Sequence, residues 1–355
     1  MQRIAAESPK AKLAYQLVES LQQRLVQAMQ AQSHQHGLGR NFTPIEWFRA
    51  DGQHGGGMRF VAEDQSVFNR ASVNVSQVQY DTDASKSLAS ATALSSIIHP
   101  HNPYAPSVHL HVSWTEMKSG HGYWRVMADL NPAIENSSHT QQFKSALSSA
   151  AGSGLSSEMT EAAFAQGDRY FNIPALSRHR GVCHFYLENF FSDDVAADQQ
   201  LAETIITAVI DCYAAILDDA LKTAAVPDAT AFRQQLDYHS LYFFQVLTLD
   251  RGTTSGLLVH DQNDVGILGS LPEAVDKALI RSWREKMPEP QGELLDGLLA
   301  SLAEPSATRV DRSEVTDTAK KSLASAVRQH YQSNPDALSL QASGEIIPPT
   351  VSNHR

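Results

Sequence analysis

The chain has 355 residues, 42% of them apolar and 19% charged, with a net charge of -11. Such a length supports one large domain or two modest ones around a real core, and the acidic balance excludes a nucleic-acid or anionic-membrane surface as the main partner. Two cysteines, Cys183 and Cys212, provide neither a disulfide framework nor a zinc knuckle and fit a reducing compartment.

No apolar run is expected to reach membrane-spanning length, and the opening Met1-Gln-Arg-Ile-Ala-Ala lacks the apolar centre of a signal peptide, so a cytoplasmic location is expected. Ser8-Pro9 is a good helix opening. Leu13, Leu17, Val18, Leu21, Leu25 and Met29 follow on one face, predicting an amphipathic helix to about Gln32. Trp47-Phe48 leads to Gly55-Gly-Gly57, where backbone must bend tightly or approach something closely. The triplet lacks the strand-before, helix-after context of a nucleotide loop. Val67 to Val78 reads as a strand, and Ala84 to Ala93 has helical character.

Ser95 to Asp129 is the most informative stretch. Between Val108 and Trp114 apolar and polar residues alternate strictly, the period of a strand with one buried face. Val108, Leu110, Val112 and Trp114 take one side, and His109, His111 and Ser113 the other. Pro100, Pro103 and Pro106 stiffen the approach. The turn from Met117 to Gly122 lets Tyr123 to Asp129 fold back as an antiparallel partner, placing Asp129 on the same sheet.

Beyond Pro132, Gln141 to Gly154 and Ser156 to Gln166 predict short helices, His184 to Phe190 a strand, and Leu201 to Leu221 a long amphipathic helix. A helix near Thr230 to Leu236 precedes Leu241 to Leu249, read as the most hydrophobic and central strand, which ends in Asp250-Arg251-Gly252-Thr253. Ser270-Leu-Pro272 opens a helix through Trp283, Leu294 to Leu302 is amphipathic, Ser313 to Tyr331 is a polar helix, and a loosely ordered tail starts at Pro335. Strands mixed irregularly with helices predict an α+β fold, a large antiparallel sheet flanked on both faces by helices. Residues 1–303 would form one domain, and 304–355 a C-terminal extension.

His99-Pro-x-Asn102-Pro-x-x-Pro106-x-x-His109, then a strand, then Asp129-Leu-x-Pro132, resembles the oxygen-dependent coproporphyrinogen III oxidases of haem biosynthesis. The helix, tryptophan, glycine triplet and Val73-Asn-Val-Ser strand occur in the family's order, so the resemblance runs over most of Ala14 to Pro272. It implies an enzyme that uses dioxygen as co-substrate and needs no further cofactor. The reaction converts two propionates of coproporphyrinogen III, or a related tetrapyrrole, to vinyl groups. It implies a homodimer whose partner is a small tetrapyrrole, not nucleic acid or membrane. Asp129 is the carboxylate expected under the ring, accepting pyrrole N–H groups and helping to remove a proton, and His109 the proton donor. Substrate contact is implied at Ser95, His111, Val112, Ser113, Asp250 and Arg251. His99, His109 and His139 would hold a divalent metal, an ion that imidazole suits.

Several positions depart from the family. Ser113 replaces an arginine suited to a propionate, Arg125-Val126-Met127 stand where glycines precede the aspartate, and Glu188-Asn189 replace an Asp-Asp pair. A histidine expected near Ala175 is missing, and Asp261-Gln262-Asn263 align with a Gly-Gly-Arg loop. Arg125 falls on the Asp129 face by alternation and is expected to replace the missing cation. The competing expectations are a non-catalytic paralogue that holds haem or another ligand, through His99, His109 or His111, and a scaffold kept for dimerisation.

Overall fold

The computed structural model describes residues 1–260, 262–305 and 311–342. Its centre is one seven-stranded sheet: β1 Thr43–Phe48, β2 Gly55–Val61, β3 Phe68–Gln79, β4 Leu88–Pro100, β5 Ser107–Met117, β6 Gly122–Asn131 and β7 Cys183–Phe190. Every neighbouring pair is antiparallel and spatial order follows chain order, so the sheet is a continuous meander. This is the α+β architecture expected.

Pleating separates the two faces. One is apolar: Val73, Val75, Leu94, Ile98, Val108, Leu110, Val112, Trp114, Trp124, Val126, Ala128 and Leu130 are all buried in one cluster. Three helices cover it, α1 Pro9–His36, α2 Ser137–Ala151 and α4 Val195–Thr223, while α3 Ser157–Phe171 packs along β7. Ser8 caps α1 by accepting from the Ala11 N–H, as the Ser-Pro opening predicts. Helix α4 has the length and apolarity of a membrane span, contrary to the sequence expectation. Its Ile205, Val209, Tyr213, Ile216 and Leu217 are fully buried against the sheet, which accounts for that apolarity as core packing.

The opposite face carries the polar residues, roofed by the last third of the chain. Helices α5 Ala229–Thr248, α6 Arg251–Val259, α7 Asp264–Ile267, α8 Lys277–Arg281, α9 Gln291–Ala300 and α10 Asp317–Ser333 build a second core, into which Ile97 of β4 reaches. Three sequence expectations are corrected here. Leu241 to Leu249 is the end of α5, which Asp228 caps, with Leu249 as its C-cap, and is not a strand. The run is apolar on every side because it is buried on every side, so periodicity carries no helix-versus-strand information there. Ala84 to Ala93 is a turn followed by β4, its small residues belonging to a flat sheet face. The helix expected from Ser270 is only the short α8. Ala319, Leu323, Val327 and Tyr331 of α10 share the second core. The segment after Pro335 turns as a short 3-10 helix and is tied at Ala342, whose N–H donates to the Leu249 carbonyl at 2.9 Å. The rest of the expected tail lies outside the described residues.

Candidate active site

A cavity of about 320 Å³ lies between the polar sheet face and the roof of α5, α6 and α7. Its floor is Asn74 and Ser76 of β3, Ala91, Ala93 and Ser95 of β4, His109, His111 and Ser113 of β5, and Arg125 and Met127 of β6. Four adjacent strands at about 4.8 Å spacing make this floor about 14 Å wide. Short side chains over β3 and β4 keep it flat, a shape suited to a disc. Trp47 closes one side, and Tyr170, Arg180 and Tyr186 the other.

The glycine triplet builds the Trp47 wall. Gly57 pairs with Trp47, and a Cβ there would lie 2.1 Å from the Val75 carbonyl oxygen and 2.5 Å from Trp47 Nε1. Only a bare backbone lets the indole lie flat and donate to Asn74 Oδ1 at 2.9 Å.

The register sets the chemistry. His109 faces Asp129 across β5 and β6, and His109 Nδ1–H donates to Asp129 Oδ1 at 2.6 Å. Oδ2 of the same carboxylate accepts from Asn131 Nδ2 at 2.6 Å and from an Arg180 Nη2–H at 2.7 Å. Burial alone would raise the Asp129 pKa. The Arg180 guanidinium, then His109 and Asn131, override it and hold the carboxyl far below the usual carboxylate range. Asp129 is therefore ionised, fully buried and no part of the cavity wall. The carboxylate expected directly under a ligand instead stands one shell back, and His109 reaches the cavity in its place. With Nδ1 committed to Asp129, His109 Nε2 is the nitrogen left to meet a ligand.

Arg180 gets there because of Gly181. Gly181 has φ +84°, and a Cβ would come within 2.5 Å of Asn131 Oδ1 and 2.7 Å of the Leu130 carbonyl. The chain thus passes tightly against β6, and Arg180 lies buried between Asp129 and Gln245 Oε1, to which its Nη1 donates at 2.7 Å. Its guanidinium also stacks over Phe171 and Tyr242, at 4.4 and 5.0 Å.

His111 lies between two serines, with Nδ1 2.6 Å from Ser95 Oγ and Nε2 3.0 Å from Ser113 Oγ. Burial, then Arg125 and His109, push its pKa well below the ordinary histidine value, so it is neutral at pH 7. Arg125 does face the cavity, but Glu188 takes it: Nε lies 3.0 Å from both carboxylate oxygens and Nη2 2.9 Å from Oε1. A bulge in β7 makes this pairing, since Trp124 pairs with Phe190 but Val126 with Leu187, and Asn189 takes φ +52°. The expected replacement cation is present but already neutralised.

Asp250 caps α6, accepting from Thr253 N–H at 2.6 Å, and its Oδ2 accepts from Tyr170 O–H at 2.9 Å. Arg251 Nε–H donates to the Ala342 carbonyl at 2.7 Å, while its buried Nη2 has no partner among the described residues. Both residues line the cavity.

Two groups of expectations are corrected. Val112 is wholly buried on the opposite, helix-covered face and cannot touch a ligand in the cavity. The set His99, His109 and His139 is not assembled. His99 is buried with Nδ1 2.8 Å from Ser107 Oγ and with Tyr242 and His239 packed on its ring; His139 belongs to α2 and its Nε2 lies 2.9 Å from Asp219 Oδ2. Among the described residues no group of three or more His, Cys, Asp or Glu gathers as a metal site. The residues present do not fit the metal that the resemblance implied. Sequence reasoning missed Arg180, Asn131, Tyr170 and Tyr242. The signal available was an Arg-Gly step before a strand. Asp261 lies outside the described residues.

Comparison with known proteins gives the geometry a context. A family model described as coproporphyrinogen III oxidase matches residues 14–298. The mitochondrial oxygen-dependent coproporphyrinogen-III oxidase of Homo sapiens is 27% identical over 258 residues, 66% of this chain and 55% of that protein. The corresponding protein of Drosophila melanogaster is 27% identical over 305 residues, 80% of this chain and 74% of its own length. That of Prochlorococcus marinus (strain AS9601) is 27% identical over 268 residues, 65% of this chain and 76% of its own. The chain spans about half the length of the mammalian relatives it matches.

Proposed function

From the premise that the chain belongs to the coproporphyrinogen III oxidase family, we propose that it oxidatively decarboxylates coproporphyrinogen III, or a related tetrapyrrole, with dioxygen as co-substrate. The observation that carries the reading is His109: it stands on the cavity floor with Nδ1–H fixed by an ionised, fully buried carboxylate. A porphyrinogen laid on the flat floor would meet His109 Nε2 with a pyrrole N–H. Transfer of that proton to Nε2 raises the electron density of the ring, the condition for attack by dioxygen. Asp129 contributes by holding the imidazole in one tautomer and by offsetting the charge it gains, as a base-orienting carboxylate does. Arg251 would receive a carboxylate at the roof.

Homodimer formation and a cytoplasmic location belong to the same proposal. A second reading, a paralogue that binds a tetrapyrrole without turning it over, is favoured by one observation, the neutralised Arg125. The discriminating experiment supplies anaerobically prepared coproporphyrinogen III to the protein in air and reads protoporphyrin fluorescence. Product from the wild type, and none from a folded His109→Ala variant, supports the enzyme. Absence of product together with a Soret shift on haem titration supports the binding paralogue.

A further inference from the structure

The residues that the family model matches end at 298, yet the chain returns to the cavity beyond them. Helix α10 and the 3-10 turn Pro335–Leu340 bring Gln341 and Ala342 to the roof. Gln341 is buried, and its Nε2 donates to Thr254 Oγ1 of α6 at 2.5 Å and to Tyr331 Oη of α10 at 3.0 Å. The Ala342 N–H donates to the Leu249 carbonyl at the end of α5 at 2.9 Å. Its side chain packs on the cluster of Met127, Tyr170, Phe171 and Tyr186, three of which line the cavity. Its carbonyl accepts from Arg251 Nε–H at 2.7 Å. Two consecutive residues thus join α5, α6, α10 and the sheet floor at the point where Arg251 enters the cavity.

This joint decides how Arg251 meets a ligand. Nε–H and one Nη2–H point the same way from a guanidinium and form an edge on which a carboxylate can sit with both oxygens. Arg125 gives that edge to Glu188. On Arg251 half of it is taken by the Ala342 carbonyl, and the buried Nη2 has no partner among the described residues. The Arg251 backbone N–H is held as well, by the Tyr170 hydroxyl at 3.2 Å. A long side chain fixed in this way does not have to be ordered when a ligand arrives, which is a cost of binding otherwise.

We propose that Gln341 and Ala342 are positioning residues, which hold Arg251 by its Nε–H so that Nη2 is presented to a carboxylate of the tetrapyrrole. Neither lines the cavity, so they act through Arg251. The inference rests on the tetrapyrrole reading above and adds to the site a support drawn from outside the family match.

The test measures coproporphyrin III binding by quenching of tryptophan fluorescence in four full-length proteins: the wild type, Gln341→Leu, Arg251→Met and the double variant. Each single substitution should raise Kd by about tenfold, the scale of one hydrogen bond to a charged group. The double variant should bind no more weakly than Arg251→Met alone, because a support without its arginine has nothing left to position. Should Gln341→Leu fail to fold, Ala342→Pro takes its place with the same expectations. It deletes the N–H that donates to Leu249, and the extended backbone of Gln341, φ -75° and ψ 160°, suits a following proline. Losses that multiply to about a hundredfold in the double variant overturn the inference, since the two sites would then act independently. So does wild-type affinity in either single variant. Wild-type protein that does not bind coproporphyrin III overturns the tetrapyrrole reading itself, and the inference with it.

Discussion

Asp129 and His109 work as one unit, and neither is informative alone. Replacing the carboxylate by an amide, Asp129→Asn, keeps the shape but removes the charge opposite Arg180 and the acceptor that selects the His109 tautomer. We expect kcat to fall by about 10⁴, the scale seen when a base-orienting aspartate becomes asparagine, with KM little changed. The uncompensated Arg180 should also cost about 3–5 kcal/mol of stability, read from urea denaturation. A variant that keeps wild-type turnover removes Asp129 from the mechanism. At this scale the sequence was partly legible. Strict alternation put His109, His111 and Ser113 on one face, and a hairpin turn carried Asp129 beside them. What alternation does not reveal is which neighbour ties up each group. Arg180 and Glu188 come from distant segments, and only folding brings one to Asp129 and the other to Arg125.

Between elements, the sheet edge depends on bare backbone at Gly55, Gly56 and Gly57. In Gly57→Ala the new methyl would meet a backbone carbonyl at 2.1 Å and the Trp47 ring at 2.5 Å, neither of which can yield cheaply. The expected outcome is a loss of about 2 kcal/mol or more in stability and a red-shifted tryptophan emission as Trp47 leaves its site on Asn74. Unchanged emission and denaturation midpoint would show that the β1–β2 edge accommodates a side chain. The sequence marked this triplet as a close approach without revealing to what. It misrepresented the end of α5 for a physical reason: all nine successive residues from Leu241 to Leu249 are buried, and no periodic trace of helix survives when water touches no side. The bulge at Asn189 was equally hidden, since a left-handed asparagine has no sequence signal beyond its identity.

For the molecule as a whole, the polar face sets how stability responds to pH. His99 and His239 are buried and neutral; burial lowers His99 well below the ordinary value and His239 to about 3. The unfolded chain takes up these protons near 6.5 while the folded one does not, so stability is complete above that pH and declines as pH falls toward 3. Each such histidine contributes a slope of at most about 1.4 kcal/mol per pH unit. Urea midpoints at pH 8, 6.5 and 5 should decrease in that order, less steeply in His239→Gln. Equal midpoints at pH 8 and 5 would show that the two imidazoles are not held neutral.

The meander's two faces belong to different parts of the chain: residues before about 220 build the helix-covered core, and residues from about 238 onward most of the roof. A guest lying on the floor touches both. Occupancy would therefore splice two cooperative units, so that the bare protein can lose its roof while keeping its meander, whereas the loaded one must surrender both at once. On the proposed function, a bound tetrapyrrole would be a keystone between the two units, and its departure the moment at which the later third of the chain is most free to lift.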